Sequence, residues 1–275
     1  VAVPPPVALI AGQGRLPEVL ARGLKAEGRT VIYCAYHDTP PGTVVPDLTF
    51  RLETLGTLLK TLRKRGAGEV CFAGGVRRPK FDPKKLDLAT ASLVPRFMAA
   101  LGHGDDAALR VVLDLFESRG MAVRGAHEIL PELLPEVGVL GAIQPNDEDR
   151  RDAERGAEVV SALGAADVGQ ACVIARRQAL AVEAMPGTDW MLASLAGRRD
   201  GLPEGGVLYK GPKPQQDRRV DLPTIGPETL RAAASAGLNG VVIEAGGVMV
   251  LDREQTVAAA DAAELFLWVR PKEQG

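Results

Sequence analysis

Histidine is scarce in this chain, with three residues in 275. A zinc centre or a histidine-based catalytic triad would have little material to draw on. Cysteine is as scarce: Cys34, Cys71 and Cys172 are odd in number, far apart and set in apolar, strand-like runs. No metal-ligand spacing is present, and the pattern predicts buried thiols in a reducing compartment. An excess of one charge is also missing, since 33 Lys and Arg face 35 Asp and Glu for a formal net charge of -2. Bulk nucleic-acid binding normally leaves a basic excess, so it is argued against, while a local basic site is not. No run of about 20 apolar residues exists to span a bilayer, because Gly, Asp or Arg breaks the longest ones. The opening VAVPPP lacks the basic and long apolar regions of a signal peptide. These absences predict a cytoplasmic protein that at most rests against the inner face of a membrane.

What is present is an ordinary globular composition, 46% hydrophobic and 25% charged, at a length that suits two domains. The first half alternates strand and helix signals. Val7–Ala11, Thr30–Ala35 and Glu69–Ala73 read as strands, with helical patterns from Leu16 to Leu24 and over Leu55–Leu62. Asp105–Ser118, Met121–Arg124 and His127–Leu134 continue as helix, strand and helix. Such alternation predicts an α/β domain with a parallel, doubly wound, Rossmann-like sheet over residues 1–140.

The second half, 141–275, reads as a mixed α+β domain. Ala171–Ala175 and Leu180–Ala184 flank Arg176-Arg177-Gln178-Ala179 as an antiparallel hairpin. Val241–Glu244 and Val248–Leu251 around Gly246-Gly247 predict a second hairpin. Helical patterns at Thr188–Leu195, Pro227–Ala236 and Gln255–Leu265 separate these, and Phe266–Val269 closes the sheet. Leu140–Glu148, with Gly141, Pro145 and Asn146, marks the boundary between the domains.

Several short motifs carry chemistry. Gly12-Gln13-Gly14 follows the first strand and puts bare backbone at a helix start, where amides and the dipole attract anions. It is not a full dinucleotide fingerprint, since Leu16-Pro17 stands where a third glycine belongs. Gly74-Gly75, followed by Arg77 and Arg78, ends another strand at the edge where ligands settle in open α/β sheets. Two arginines there suit bidentate phosphate binding, and both loops would face one crevice of nucleotide size. Asp105 and Asp106 precede a helix; one can cap it, leaving the other for a ribose hydroxyl, a base donor or a metal. Thr188 and Asp189 start another helix and offer hydroxyl and amide donors to a phosphate, with Gln170 at the head of a strand nearby in sequence.

The densest signal is KGPKPQQDRRVDLPTIG, from Lys210 to Gly226. Lys210, Lys213, Arg218 and Arg219 surround Asp217 and Asp221, and three prolines keep much of the stretch from being helix. Cations at this density suit a phosphate or pyrophosphate, and the two carboxylates suit a divalent metal bridging it. A surface loop of mutually paired charges is the plainer alternative.

Taken in order, GQGRLP, GGVRRP, GDDAALR, GAHEILPELL, DVGQACV, the AMPGTD turn and KPQQDRRVDLPTIGP resemble the UDP-2,3-diacylglucosamine pyrophosphatases of lipid A synthesis. The collinear match runs from about Val7 to Val269. The resemblance implies hydrolysis of the substrate's pyrophosphate by water at the α-phosphorus, giving UMP and 2,3-diacylglucosamine 1-phosphate (lipid X). It implies a divalent cation, usually Mg2+, an N-terminal UDP-binding domain, a C-terminal lipid-binding domain and a homodimer in transient contact with the membrane surface. Within it, Asp217 and Asp221 become the expected metal ligands or water-orienting groups, with Lys213 and Arg218 as further catalytic candidates. Substrate contacts are expected from Gly12, Gln13, Gly14, Gly75, Arg77, Arg78, Asp105, Asp106, Gln170, Thr188, Asp189, Lys210, Gln216 and Thr224. Two acyl chains would need an apolar groove at roughly 25 cal/mol per Å² buried, with Met185, Trp190, Met191 and Leu195, or Leu202–Leu208, as candidates. Two rival readings stand beside this one: a transferase or epimerase on another UDP-sugar, and a non-catalytic nucleotide or lipid sensor.

Overall fold

Val7–Ala11 (β1) is buried at every position, as its unbroken apolar run requires of a strand covered on both faces. The computed structural model describes residues 4–37, 42, 44–75, 82–95, 105–197, 201–214 and 216–272, with only the backbone of 105–108. Around β1 lie Val31–Tyr36 (β2), Leu48–Phe50 (β3), Glu69–Ala73 (β4) and Ala122–Val123 (β5), paired in the order β3-β2-β1-β4-β5. Every pairing is parallel. The chain therefore starts at the centre, builds outward on one side, and returns to build on the other. This is the Rossmann-like sheet the alternating pattern predicts. The helix Leu16–Ala26 buries Leu16, Val19, Leu20 and Leu24, the i, i+3, i+4 spacing of a half-covered helix. The expected helix over His127–Leu134 is broken instead into Ala126–Ile129 and a 3-10 turn at Pro131–Leu133. Pro131 is the physical reason, since it removes a donor that a continuing helix needs.

The chain divides into two compact units, Val1–Pro131 and Glu132–Gly275. The division falls ahead of the 140/141 boundary expected from sequence, because Gly138–Val139 (β6) joins the second unit's sheet.

That second sheet has the order β6-β13-β11-β9-β7-β8. Its strands are Ala171–Ala175 (β7), Gln178–Val182 (β8), Val207–Lys210 (β9), Gly240–Glu244 (β11) and Phe266–Arg270 (β13), besides β6. Strands β9, β11 and β13 run parallel, while β7, β8 and β6 flank them antiparallel. One face packs Cys172, Ile174, Tyr209, Val242 and Phe266 against Ala153 and Val160 of the helix Asp147–Ala165. The other packs Val173, Leu208, Val241 and Leu267 against the helices Thr188–Leu195, Pro227–Ser235 and Arg253–Ala262. Alternate residues of each strand thus serve opposite layers.

The second expected hairpin does not form. Met249–Val250 (β12) leaves the main sheet and pairs parallel with Thr224–Ile225 (β10) in a separate two-stranded sheet. β11 already has parallel neighbours on both edges, so no edge is left for an antiparallel return. The first hairpin does form, with a tighter turn than four residues. Arg176 (φ 50) and Arg177 (φ 62) make a two-residue turn in the left-handed region, and β8 begins at Gln178. The buried carboxylate of Asp152 holds it, accepting N–H groups of Arg176 (3.1 Å) and Arg177 (2.6 Å). All three cysteines are free and buried, and burial raises each thiol's pKa to about 12.

Candidate functional site

In the first unit the strand order reverses between β1 and β4, and ligands of open parallel sheets bind at the carboxyl ends beside such a reversal. Both glycine loops lie there. Gln13 donates its N–H to the Gly75 carbonyl (2.8 Å), Gly75 donates back to Gln13 (3.0 Å), and Gly12 donates to Ala73 (2.8 Å). A Cβ on Gly12 would stand 2.5 Å from the Gly75 oxygen. One on Gly74, whose φ is +83, would stand 2.3 Å from the Gln13 oxygen. The two loops are therefore zipped together backbone to backbone. The amides of Gly12 and Gln13, which the sequence offers to an anion, are engaged in that clamp. Gly14 faces open space and leads into the helix beginning at Leu16, where the first-turn amides remain the anion-attracting feature. Arg77 and Arg78 lie outside the described residues. Asp105 and Asp106 open the helix Asp105–Glu117, and their side chains lie outside them too.

In the second unit the loop 211–223 leaves the carboxyl end of β9, which lies between parallel β11 and antiparallel β7. The loop's described residues are packed from both sides. A Cβ on Gly247 would meet Pro212 Cδ at 2.6 Å, and one on Gly164 would meet Pro214 Cδ at 2.8 Å, so two glycines admit the loop to close packing. Lys213 Nζ donates to Asp167 (2.7 Å), and its backbone N–H donates to Gln216 Oε1 (3.2 Å). Gln216 Nε2 in turn donates to Asp221 (2.6 Å). Asp217 and Asp221 stand at the two ends of one turn, the Asp221 N–H donating to the Asp217 carbonyl at 3.1 Å. Asp217 also takes Arg219 through two guanidinium nitrogens, at 3.1 and 2.8 Å, while Arg218 on the same turn is exposed.

Lys210 belongs to a different environment from the rest of the charged run. It ends β9 and is buried, its ammonium donating to Thr188 Oγ1 (2.9 Å) and to the Thr224 carbonyl (3.2 Å). Thr188 passes its own hydroxyl proton to Glu183 Oε1 (2.9 Å), and Glu183 Oε2 accepts the Gln170 N–H (3.1 Å). Burial lowers the Lys210 pKa, and the nearby Glu183 and Asp189 carboxylates push against that shift. Gln170 Oε1 is buried here without a hydrogen-bond partner among the described residues. The fold thus brings Gln170, Thr188, Asp189, Lys210 and Thr224 into one neighbourhood, as the sequence could only list them. It directs the Thr188 hydroxyl inward to Glu183.

Among the described residues no three His, Cys, Asp or Glu side chains converge as a metal centre would. Magnesium does not need such a cage, since one or two carboxylates with substrate phosphates and water complete its shell. Asp217 and Asp221 place two carboxylates on one turn, with Asp221 exposed and Asp217 paired to Arg219.

Glu183, Glu244 and Arg270 escaped the sequence reading. Glu183 closes the chain of hydrogen bonds from Lys210. Glu244 ends β11, the strand beside that of Lys210, and Arg270 ends β13, the next one over; Glu244 Oε1 lies 3.3 Å from where a Gly247 Cβ would be, at the root of the loop. The available signal was a charged residue ending an otherwise apolar strand on a sheet's carboxyl edge.

Comparison with known proteins follows the same division. Residues 6–133 match the family model of the LpxI N-terminal domain, and residues 136–268 match that of the LpxI C-terminal domain. The UDP-2,3-diacylglucosamine pyrophosphatase LpxI of Caulobacter vibrioides is 42% identical over 278 residues, covering 97% of this chain and 98% of that protein. Among solved structures, the UDP-glucose 4-epimerase of Thermus thermophilus in complex with NAD aligns at 16% identity. It covers 97% of this chain and 85% of the other at a TM-score of 0.27, too loose to bear on fold or function.

Proposed function

This chain belongs to the LpxI family, and from that premise we propose that it hydrolyses UDP-2,3-diacylglucosamine to UMP and lipid X in lipid A biosynthesis. The observation that carries the reading is the relative at 42% identity along nearly the whole of both chains, joined by the two domain matches in order. A transferase or epimerase acting on another UDP-sugar has no such support.

The residues supply a coherent division of labour. The first unit offers the glycine-clamped edge between β1 and β4 for the uridine nucleotide. The second offers the loop 211–223 for the pyrophosphate. Lys213 and Arg218 on that loop would stabilise charge gathering on the phosphoryl oxygens, in a reaction where positioning and electrostatics do most of the work. Asp217, held in orientation by Arg219, would fix the attacking water. Asp217 and Asp221 would hold magnesium, which supplies charge neutralisation on the pyrophosphate when bound. Trp190 and Met185, both exposed at the turn before the helix Thr188–Leu195 or in its first residues, suit contact with the acyl chains. Among the described residues no helix is long and apolar enough to cross a membrane, so a substrate anchored there would be reached from its surface.

The test is turnover in H2(18)O with UDP-2,3-diacylglucosamine and, in parallel, non-acylated UDP-N-acetylglucosamine. Release of UMP and lipid X from the first substrate alone supports the reading. Label in UMP places the attack at the α-phosphorus, and label in lipid X places it at the β-phosphorus. Release of neither product with tight substrate binding would move the sensor reading forward.

A further inference from the structure

The loop 211–223 begins immediately after Lys210 and ends immediately before Thr224, and these two residues touch. Lys210 Nζ donates to the Thr224 carbonyl at 3.2 Å, so the neck of the loop is closed by one side chain. The same ammonium donates to Thr188 Oγ1 at 2.9 Å, tying that neck to the first turn of the helix Thr188–Leu195. The direction of each bond is fixed. An ammonium only donates, so Thr188 must accept from it, and the one hydroxyl proton of Thr188 goes to Glu183 Oε1 at 2.9 Å. Glu183 Oε2 accepts the Gln170 N–H, and the Gln170 carbonyl accepts the Gly211 N–H at 3.0 Å. The chain of bonds therefore returns to the loop's first residue. Lys210, Thr188 and Glu183 are all buried, and a buried ammonium is tolerable only where carboxylates balance it. Two of the three ammonium N–H groups are thus committed inside the fold, to Thr188 and Thr224.

We propose that Lys210 is a positioning residue: with Thr188 and Glu183 it clasps the two ends of the loop 211–223 and so sets where Asp217 and Asp221 stand. Its effect on catalysis rests on the reading of that loop as the reacting one; the clasp itself does not. The sequence groups Lys210 with the phosphate-facing cations, and the geometry separates it from them.

The experiment compares the full wild-type chain with the double variant Lys210→Met/Glu183→Gln, which removes both buried charges together, and with the near-isosteric Thr188→Val. Amide hydrogen exchange of 211–223, thermal unfolding, and kcat and KM for UDP-2,3-diacylglucosamine are read on each. The expected result is a variant that still unfolds cooperatively, with exchange of the loop amides accelerated about tenfold or more relative to β9 and β11. kcat should fall on the order of a hundredfold, the scale of a roughly 1 Å misplacement. KM should change by less than about threefold, because the substrate contacts remain. Loop protection unchanged in both variants overturns the clasp. So does a lost kcat without faster exchange and with raised KM, which marks Lys210 as a substrate contact. A wild type that makes no product, with loop exchange accelerated in the variants, leaves the clasp standing and sinks the hydrolytic reading instead.

Discussion

Gln13 and Gly75 exchange a pair of backbone hydrogen bonds, at 2.8 and 3.0 Å, that join the loops after β1 and β4 into one unit. The approach leaves no room for a Cβ at Gly12 or Gly74. Gly12→Ala and Gly74→Ala are each expected to cost about 1–3 kcal/mol of stability by forcing the loops apart. Gly14→Ala meets nothing within 4 Å and pays only the strain of its φ of +97, so it should be milder on packing grounds. Urea unfolding of the three variants checks the order. Equal losses for all three would contradict the clamp.

Asp152 holds the Arg176-Arg177 turn through two amide hydrogen bonds. Asp152→Ala removes the charged acceptor of both turn amides and should destabilise the second unit by about 1–3 kcal/mol. Arg176→Asn with Arg177→Gly, the residues that left-handed hairpin turns prefer, should stabilise it instead. Thermal unfolding of both variants measures the opposite signs.

Glu69 contributes to the pH dependence of the first unit, as does Asp87, which burial pushes up but hydrogen bonds from Thr57 and Thr90 hold below its ordinary value. Burial raises the Glu69 pKa, but ion pairs with Arg29 and Arg124 outweigh that and hold it below the ordinary 4.5. A carboxylate depressed in the folded state contributes stability that is present above its unfolded pKa and lost as pH falls through the folded value. Stability of the wild type should therefore decline below about pH 4.5. Glu69→Gln should be less stable at neutral pH and show a shallower acid limb. A Gln variant with the same acid limb would assign that limb to other groups.

Gly247→Ala places a Cβ 2.6 Å from Pro212, at the root of the charged loop. The ring cannot yield without moving the chain behind it. Turnover should fall about tenfold or more, with unfolding changed by no more than about 1–2 kcal/mol. Full activity in a folded variant would detach the loop from the chemistry.

Much of this was legible in the sequence. The strands β1 and β4 follow from short apolar runs ending in glycine, and their parallel order follows from the helices between them. The helix Asp147–Ala165 was not legible, because its first half is almost wholly charged and its apolar contacts, Ala153, Gly156, Ala157, Val159 and Val160, are small or confined to the later turns. Asn146, read as part of a boundary, is in fact its cap, accepting the N–H groups of Glu148 and Asp149 at 2.8 and 3.0 Å. The second hairpin misled because a glycine pair marks a change of direction without saying which edge is open. At the site, the crowd of charges between Lys210 and Asp221 was evident. That Lys210 turns inward while Asp217 takes Arg219 was not, since neighbours in sequence can fall on opposite sides of a strand end.

The most direct test is the rate of joint UMP and lipid X formation from UDP-2,3-diacylglucosamine by wild type and Asp217→Ala, each with magnesium or excess EDTA. Both products are expected in equal amounts from wild type with magnesium, with a loss on the order of a thousandfold in the other three samples. Undiminished turnover by Asp217→Ala would remove the loop from the reaction, and no turnover by wild type would contradict the hydrolysis itself.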